Sequence, residues 1–566
     1  MTVTVEAPVA LAQERLLNIA DRIRRQAEAR PHALAVVEPR QHNVDGRRSY
    51  AHLTFAQLEA RIDTYARGLT ALGVTPGMRA LLMVKPSLEF FSLTFALFRV
   101  GAVPVLLDPA MGKHNVLGAI AEVEPQAFIA IPKGHVARLL YGKAFSAVKI
   151  NVTVGPKMPF GGSSLAELAA LGQGQGTFRT AATKAADLAA ILFTSGSTGA
   201  PKGVLYTHAI FDAQVRIFEE DFRIEPGEVD LSAFPLFSLF SAALGAKVVI
   251  PDMDATKPAQ VDALKIVEAI EDHGVTYAFG SPAFWNRVAG YCEAGAVKMP
   301  SLRRVLMAGA PAPPSLLERL AKLVPESADV YTPYGATECL PISLPSARSL
   351  LGDATAKTVA GAGTCVGRPI PGSEVRIIRI DDGPMTALKE AAVLGPNEVG
   401  EIVVTSPVTT PGYFRRPNDD AKHKLRDGDR IWHRMGDVGY LDDAGQLWFC
   451  GRKSHRVETH HGPLYTEQVE PIFNTHPRVY RSALVGRGAR GQEQPVLVVE
   501  CRPEARPGDK RDREGLIAEL LAVGQKFPHT AVIREVHFWD ALPVDARHNA
   551  KIRREEVRAW VEKQKS

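Results

Sequence analysis

Apolar positions recur along this chain in two rhythms. At 16–29, Ile19, Ile23 and Ala27 fall on one side while Arg22, Arg24, Arg25 and Glu28 fall elsewhere, the spacing of an amphipathic helix. A strand follows at 33–37, then a long amphipathic helix at 59–72 that stops at Gly73. Apolar runs at 78–84 and 102–107 read as strands, with a helix at 89–100 between them. Strand, helix, strand in this order predicts a parallel sheet with crossover helices. The alternation resumes with strands at 188–193, 276–279, 302–307 and 400–405 and helices at 210–220 and 265–273. Segment 156–187, rich in Gly, Ala, Ser and Lys, has little periodicity and reads as an exposed connection. From Glu467 onward a helix, strands at 479–485 and 495–500, a helix at 515–523 and a strand at 531–538 suit a small α/β unit. No internal repeat is visible.

Composition narrows the class. A chain of 566 residues suggests two or more domains. Apolar content of 46% and charged content of 23% are those of an ordinary soluble protein. The net charge of +5 comes without clustered basic and aromatic residues, which argues against nucleic acid as a partner. Cys292, Cys339, Cys365, Cys450 and Cys501 are far apart and lack C-x-x-C spacing, which points to a reducing cytoplasm and away from a disulfide framework or zinc site. The start of the chain lacks the pattern of a secretory leader, and no apolar run is long enough for a transmembrane segment. The longest candidates, near 90–105 and 234–250, are interrupted by Arg99 and Lys247.

The chemistry starts where the strand at 188–193 stops. Thr194, Ser195, Gly196, Ser197, Thr198 and Gly199 are followed by Ala200, Pro201, Lys202 and Gly203. Such a loop can aim backbone N–H groups and hydroxyls at one anion, and Lys202 adds a point charge. A polyphosphate is the matching ligand. The loop is not the G-x-x-x-x-G-K-[ST] form, because Gly203 stands where Ser or Thr is required. A second cluster, Tyr334-Gly335-Ala336-Thr337-Glu338, follows a strand, at the end of the sheet where α/β proteins bind ligands. Tyr334 can stack on a purine, Thr337 offers a hydroxyl to a phosphate, and Glu338 is a hard oxygen ligand for Mg²⁺. The aromatic segment from Phe234 to Phe240, with Phe279, Phe284 and Trp285, is either core or the wall of an apolar pocket that includes Phe237 and Phe240.

The stretch T-S-G-S-T-G-x-P-K-G resembles the signature of the adenylate-forming superfamily: acyl-CoA synthetases, carrier-protein adenylation domains and luciferases. Those enzymes use ATP to turn a carboxylate into an acyl adenylate and release pyrophosphate. With Y-G-A-T-E at 334–338 and G-D-V-G-Y-L-D at 436–442, the resemblance covers nearly the whole chain. It implies an α/β, acyl-CoA-synthetase-like fold. A large N-terminal domain, 1–453, would combine α/β subdomains with a β-barrel, and a small mobile α/β domain, 454–566, would act as its lid. It implies that Thr194 to Gly199 and Lys202 hold the β- and γ-phosphates of ATP. Gly309, Ala310, Pro311, Tyr334 and Gly335 would border adenine, Thr337 the α-phosphate, Asp437 the ribose, and Arg452 ribose or phosphate. Glu338 and Thr198 would hold Mg²⁺. Lys551, in Asn549-Ala550-Lys551, stands where relatives carry the adenylation lysine; the alternative is a solvated lysine. His208 either faces the carboxylate or is a core histidine.

Three positions depart from the common pattern. Ser238 stands where many relatives have histidine, Ser454 where a hinge Asp or Lys is usual, and the loop from Pro543 to Lys551 is longer. Together with F-P-L-F-S-L-F, L-D-P-A-M-G at 107–112 and P-V-D-A-R-H-N-A-K-I, they resemble the olefin β-lactone synthetases of bacterial long-chain hydrocarbon biosynthesis. That resemblance implies a long-chain 2-alkyl-3-hydroxyalkanoic acid as substrate. Its own 3-hydroxyl would close a four-membered lactone with loss of AMP. It also implies pathway partners: a thiolase-like condensing enzyme, a ketone reductase and a β-lactone decarboxylase. The alternatives are a fatty-acyl-CoA or acyl-AMP ligase and a non-catalytic nucleotide-binding homologue.

Overall fold

Several helices in this chain begin where a side chain takes up a free N–H group of the first turn. Thr54 and Gln57 form a capping box that starts helix Phe55–Ala71, four residues before the apolar periodicity becomes clear. Ser87 caps Leu88–Val100, which Gly101 ends at φ +78°. The computed structural model describes residues 14–564 apart from 45, 175, 195–199 and 546–550.

Two seven-stranded sheets carry the first part of the chain. The first runs Ser163–Ser164, Ile150–Thr153, Ala127–Ala130, Arg79–Met83, Val103–Leu107, Leu188–Thr194, Lys202–Thr207. It is parallel except for its last strand, which turns back so that Thr194 pairs with Lys202. The second runs Asp329–Tyr331, Arg304–Met307, Tyr277–Gly280, Val229–Ser232, Lys247–Val249, Leu34–His42, Arg48–Thr54, again parallel but for the last pair. One large core joins the helices that face both sheets, and a separate core covers the opposite face of the second sheet. Thr364–Cys365, Leu447–Arg452, Arg430–Leu441, Gly400–Thr405 and Glu374–Ile378 then form an antiparallel sheet where the barrel is expected, with Lys424–Asp427 paired to Arg430–Leu441.

From residue 457 onward most buried apolar residues make two clusters, on either face of a sheet of Val479–Arg487, Gln494–Cys501 and Glu535–Phe538, while Tyr465 packs with Val438 and Cys450. Between the two parts lies a single 3₁₀ turn, Lys453–His455, with Ser454 exposed. All five cysteines are buried and unpaired. Among the described residues no helix is long and apolar enough to cross a membrane.

Several elements differ from the periodicity. The first helix is Asp21–Ala29, not 16–29, because Asn18 accepts from the N–H of Ala20 at 3.0 Å and donates to the Phe98 carbonyl at 2.7 Å. The 156–187 connection contains a helix, Leu165–Leu171, started by a Ser164/Glu167 capping box and packed against Phe55–Ala71 through Leu168. The last strand is only Glu535–Phe538, while the helix before it grows to Lys510–Gly524 behind an Asp509 cap. Arg99, which breaks the apolar run at 90–105, is wholly buried between Glu59 (2.8 Å) and Asp63.

Candidate active site

Chain geometry at 331–343 fixes the first half of the site. Strand Asp329–Tyr331 ends beside Arg304–Met307, and Gly309 (φ +99°), Ala310 and Pro311 turn away from the carboxyl end of that neighbour. A hairpin of Tyr334–Ala336 and Cys339–Ser343 follows. Gly335 is required in it, since a Cβ there would lie 2.6 Å from the Cys339 carbonyl oxygen. The hairpin presents Tyr334, whose hydroxyl donates to Asp437 Oδ2 at 2.7 Å and whose ring lies 6.1 Å from Phe449. Asp437 sits opposite Arg452 in the antiparallel register, and Arg452 donates to its other oxygen at 2.5 Å. Burial and the Asp437 charge push the Tyr334 phenol upward, so it stays a donor. Each Asp437 oxygen keeps a lone pair for a further hydroxyl.

Glu338 closes the same hairpin. Its Oε1 accepts from Tyr413 at 2.8 Å, its backbone carbonyl accepts from the N–H of Thr410 at 2.9 Å, and Tyr206 donates to the preceding Thr337 carbonyl at 2.6 Å. Lys202 reaches the same tyrosine from the other side: its ammonium lies 5.1 Å from the Tyr413 ring, 2.8 Å from Asp419 and 3.2 Å from His423 Nε2. Burial, then the Lys202 charge, lowers His423 to about 4, so its imidazole is neutral and accepts from the lysine. Behind them Lys424 is buried, donating to the Thr410 carbonyl at 2.7 Å and hydroxyl at 3.1 Å. Burial lowers its ammonium to about 8, which still leaves it charged at neutral pH. The Arg452 guanidinium feels Asp437 first, then Tyr334 and Glu338. Lys202, Tyr413 and Glu338 therefore form one polar chain, and Tyr334, Asp437 and Arg452 a second.

Among the described residues no set of three or more His, Cys, Asp or Glu side chains is placed to cage a metal. A single carboxylate, Glu338, fits a cation that takes its remaining ligands from phosphates and water, the ordinary mode of Mg²⁺.

Other expected residues lie elsewhere. His208 opens helix His208–Glu220 and is 1% exposed. Its Nδ1 accepts from the N–H of Ile19 at 3.3 Å, and burial lowers it to about 4. It is a core histidine rather than a partner of the substrate carboxylate. Phe237 stacks on Phe279 at 4.2 Å and touches Phe240 at 6.0 Å, an aromatic wall on one face of the second sheet. Phe284 and Trp285 are wholly buried on the other face, with Trp285 Nε1 donating to the Leu306 carbonyl at 3.2 Å. They leave the pocket because helix Pro282–Ala294 crosses to that side.

Lys551 is exposed at the neck of its loop, where its N–H donates to Asp545 Oδ1 at 2.9 Å and its carbonyl accepts from the N–H of Asp545 at 3.0 Å. Three residues on, Arg554 pairs with Glu470 at 2.9 Å, and its charge reaches His455 next to Arg452. Ser195, Gly196, Ser197, Thr198 and Gly199 lie outside the described residues, as does the side chain of Thr194, so the phosphate contacts and the metal role of Thr198 rest on sequence. Asp419, His423 and Lys424 were not singled out by the sequence, and Tyr413 carried no role in it. Only a Gly-Tyr pair after the strand at 400–405 hinted at a site residue.

The AMP-binding enzyme pattern matches residues 23–414. The chain is 48% identical over 556 residues to an olefin beta-lactone synthetase of Xanthomonas campestris pv. campestris, covering 97% of this chain and 98% of that one. It is 47% identical over 550 residues to another of that name from Stenotrophomonas maltophilia, covering 96% and 98%. Among solved structures, amide bond synthetase McbA from Marinactinospora thermotolerans superposes with a TM-score of 0.77 at 25% identity, over 96% of this chain and 99% of that one. The O-succinylbenzoate coenzyme A synthetase of Bacillus subtilis in complex with AMP shares the fold with a TM-score of 0.72, at 22% identity over 95% and 97%. A pattern that spans most of the chain, and relatives near one-half identical from end to end, place this protein in the AMP-binding enzyme family, as an adenylate-forming enzyme.

Proposed function

We propose that this enzyme is an ATP-dependent β-lactone synthetase acting on long-chain 2-alkyl-3-hydroxyalkanoic acids. The observation that carries the reading is the identity of 47–48%, over nearly the whole chain, to two proteins named olefin beta-lactone synthetase.

Joining a carboxylate to the α-phosphate of ATP brings anions together, so the residues must neutralise and align more than exchange protons. Lys202 and the hydroxyl loop 194–199 hold the β- and γ-phosphates; the Lys202 ammonium lies 5.1 Å from the ring of Tyr413, whose hydroxyl binds Glu338, which supports this. Tyr334 and Gly309 to Pro311 border adenine, and Asp437, fixed between Tyr334 and Arg452, accepts the ribose hydroxyls. Glu338 holds Mg²⁺, which when bound supplies positive charge against the phosphate oxygens. Phe237, Phe240 and Phe279 line the alkyl pocket. We place the boundary between a large domain and its lid at 453/454, with Ser454 in the connecting turn, and assign to Lys551 the task of bridging substrate carboxylate and α-phosphate as the lid closes. The substrate hydroxyl then displaces AMP. Five unpaired thiols support work in a reducing cytoplasm. The reading places upstream a condensing and a ketone-reducing enzyme and downstream a β-lactone decarboxylase.

Purified enzyme with ATP, Mg²⁺ and a panel of long 3-hydroxy acids, without coenzyme A, is expected to yield lactone and AMP in equal amounts. Turnover only on addition of a thiol would remove the proposal in favour of an acyl-CoA ligase. Absence of pyrophosphate exchange with every acid would favour a nucleotide-binding protein. Lys551→Ala should lower exchange by about 100-fold or more.

A further inference from the structure

The nucleotide reading sends Lys202 to the β- and γ-phosphates, yet its ammonium here meets a short helix, Pro417–His423. Asp419 and His423 are four residues apart on that helix and so share one face. Both meet the same nitrogen: Asp419 Oδ1 lies 2.8 Å from Lys202 Nζ, and His423 Nε2 lies 3.2 Å from it. The Tyr413 ring faces the ammonium at 5.1 Å. A carboxylate, an imidazole and a ring face together surround the cation.

The helix is held against the strand that carries Lys202. Val204 pairs with Tyr413, the N–H of Phe414 donates to the Gly203 carbonyl at 2.8 Å, and that of Leu205 to the Gly412 carbonyl at 3.1 Å. The Tyr413 N–H donates to Asp420 Oδ1 at 2.8 Å, and Gly412 leaves room for that carboxylate, since a Cβ there would lie 2.7 Å from it. At one end Arg416 Nε donates to Glu122 at 2.7 Å, and at the other His433 Nδ1 donates to the His423 carbonyl at 3.1 Å. Asp419 and His423 therefore stand on a fixed element, while the lysine between them has a flexible four-carbon stem.

This placement works against the ligand. Lys202 lies across Tyr413 from Glu338, whose Oε1 accepts from the tyrosine hydroxyl at 2.8 Å. A carboxylate beside the lysine puts negative charge where a polyphosphate has to come. The Lys202 and Asp419 side chains are 24% and 22% exposed, and an ion pair open to water does little for the fold. Burial raises the Asp419 carboxyl, but the Lys202 hydrogen bond and charge, with Arg416, hold it below its usual value, so the pair is ionic. His423 differs: burial, then the Lys202 charge, keeps it neutral, and it accepts from the ammonium without competing for its charge. The arrangement supplies an anion that satisfies Lys202 when no phosphate is there and has to yield when one arrives.

We propose that Asp419 is the resting counter-ion of Lys202, exchanging with the phosphates of ATP and pyrophosphate at that ammonium and so weakening the hold on both. The inference rests on the reading in which Lys202 meets the β- and γ-phosphates. Asp419 acts through Lys202 and is a positioning residue. His423 keeps one hydrogen bond to the lysine while carboxylate and phosphate change places. The lysine stays paired through the cycle, and pyrophosphate leaves against a carboxylate ready to replace it.

Titration calorimetry on the full-length enzyme with Mg²⁺, using ATP or pyrophosphate as titrant and no carboxylic acid, reads the two affinities. Pyrophosphate exchange reads kcat. Asp419→Asn keeps the size of the side chain and removes its charge. It should lower the Kd for both ligands by about five- to tenfold and slow exchange at saturation, since pyrophosphate leaves more slowly. Tighter binding with slower turnover is a split that a merely structural residue would not produce. Lys202→Met should raise both Kd values by about tenfold or more, and in its background Asp419→Asn should change them by less than about twofold. Unchanged or weaker binding in Asp419→Asn overturns the inference, and so does an equal gain with and without Lys202. Should Asp419→Asn lose more than a few degrees in Tm, Asp419→Ser is judged on the same two constants. If Lys202→Met binds both ligands as wild type does, the phosphate role of Lys202 fails, and the exchange at it fails with it.

Discussion

Tyr413 joins the two charged ends of the site. Its hydroxyl fixes Glu338, and its ring lies between the ammonium groups of Lys202 and Lys424, 5.1 and 5.8 Å away. A hydrogen bond to a charged group contributes roughly 1.5–3 kcal/mol. Tyr413→Phe is therefore expected to lower kcat/KM for pyrophosphate exchange by about tenfold or more, and to raise the Mg²⁺ concentration at half-maximal rate. A Mg²⁺ titration of exchange in the two proteins checks it. Tyr334, Asp437, Arg452 and Lys202 were legible in the sequence because each sits in a compact motif whose chemistry is local. Tyr413 was not, because 75 residues separate it from Glu338 and only the fold brings them together. His208 was ambiguous for the same reason: the groups that make it a core residue, Ile19 and Phe98, are more than 100 positions away.

Two helices that flank one sheet have opposite tasks. Pro235–Leu244 contributes Phe237 and Phe240 to the wall near the site, whereas Pro282–Ala294 buries Phe284 and Trp285 in the second core. Periodicity placed a strand at 276–279, found at Tyr277–Gly280, but not the face on which each flanking aromatic would land, since the chain changes sides at Ser281. Trp285→Ala is expected to destabilise by about 3–5 kcal/mol and leave the rank order of acids unchanged. Phe237→Ala should instead change kcat/KM across a series of chain lengths while costing less stability. Denaturant unfolding with a substrate panel separates them. The helix at 165–171 escaped notice because its stretch is short and Ala-rich, although Ser164 and Glu167 already spelled a capping box.

Residues on either side of the 453–455 turn meet through polar contacts and through an apolar cluster of Val438, Cys450 and Tyr465. Thr364 donates to Glu467 at 2.8 Å, and Asp382 takes both Arg456 (2.6 Å) and Arg490 (2.8 Å). Burial and Glu470 raise the Glu467 carboxyl to about 7, above its usual 4.5. Between those values the folded protein holds a proton that the unfolded chain has released, so this group's contribution falls as pH rises from about 5 to 7 and the penalty is complete above 7. Glu467→Gln removes the ionisable group. Its Tm should exceed wild type by about 2–4 °C at pH 8 and match it at pH 5, as thermal melts at the two values will show. The proposed boundary at 453/454 follows from the family resemblance; which side chains join residues on its two sides was not legible, because pairs such as Thr364 and Glu467 are distant in sequence.

All five thiols are buried, and burial pushes each of them upward in pKa, so alkylating reagents meet neither an accessible sulfur nor a thiolate. A cysteine introduced at Val359 on one body and another at Tyr480 on the other, both native side chains being exposed, would be the fast-reacting pair on an otherwise silent background. Dyes coupled there would let single-molecule energy transfer test the proposed lid closure during turnover, with no native residue replaced by a mutation in the core.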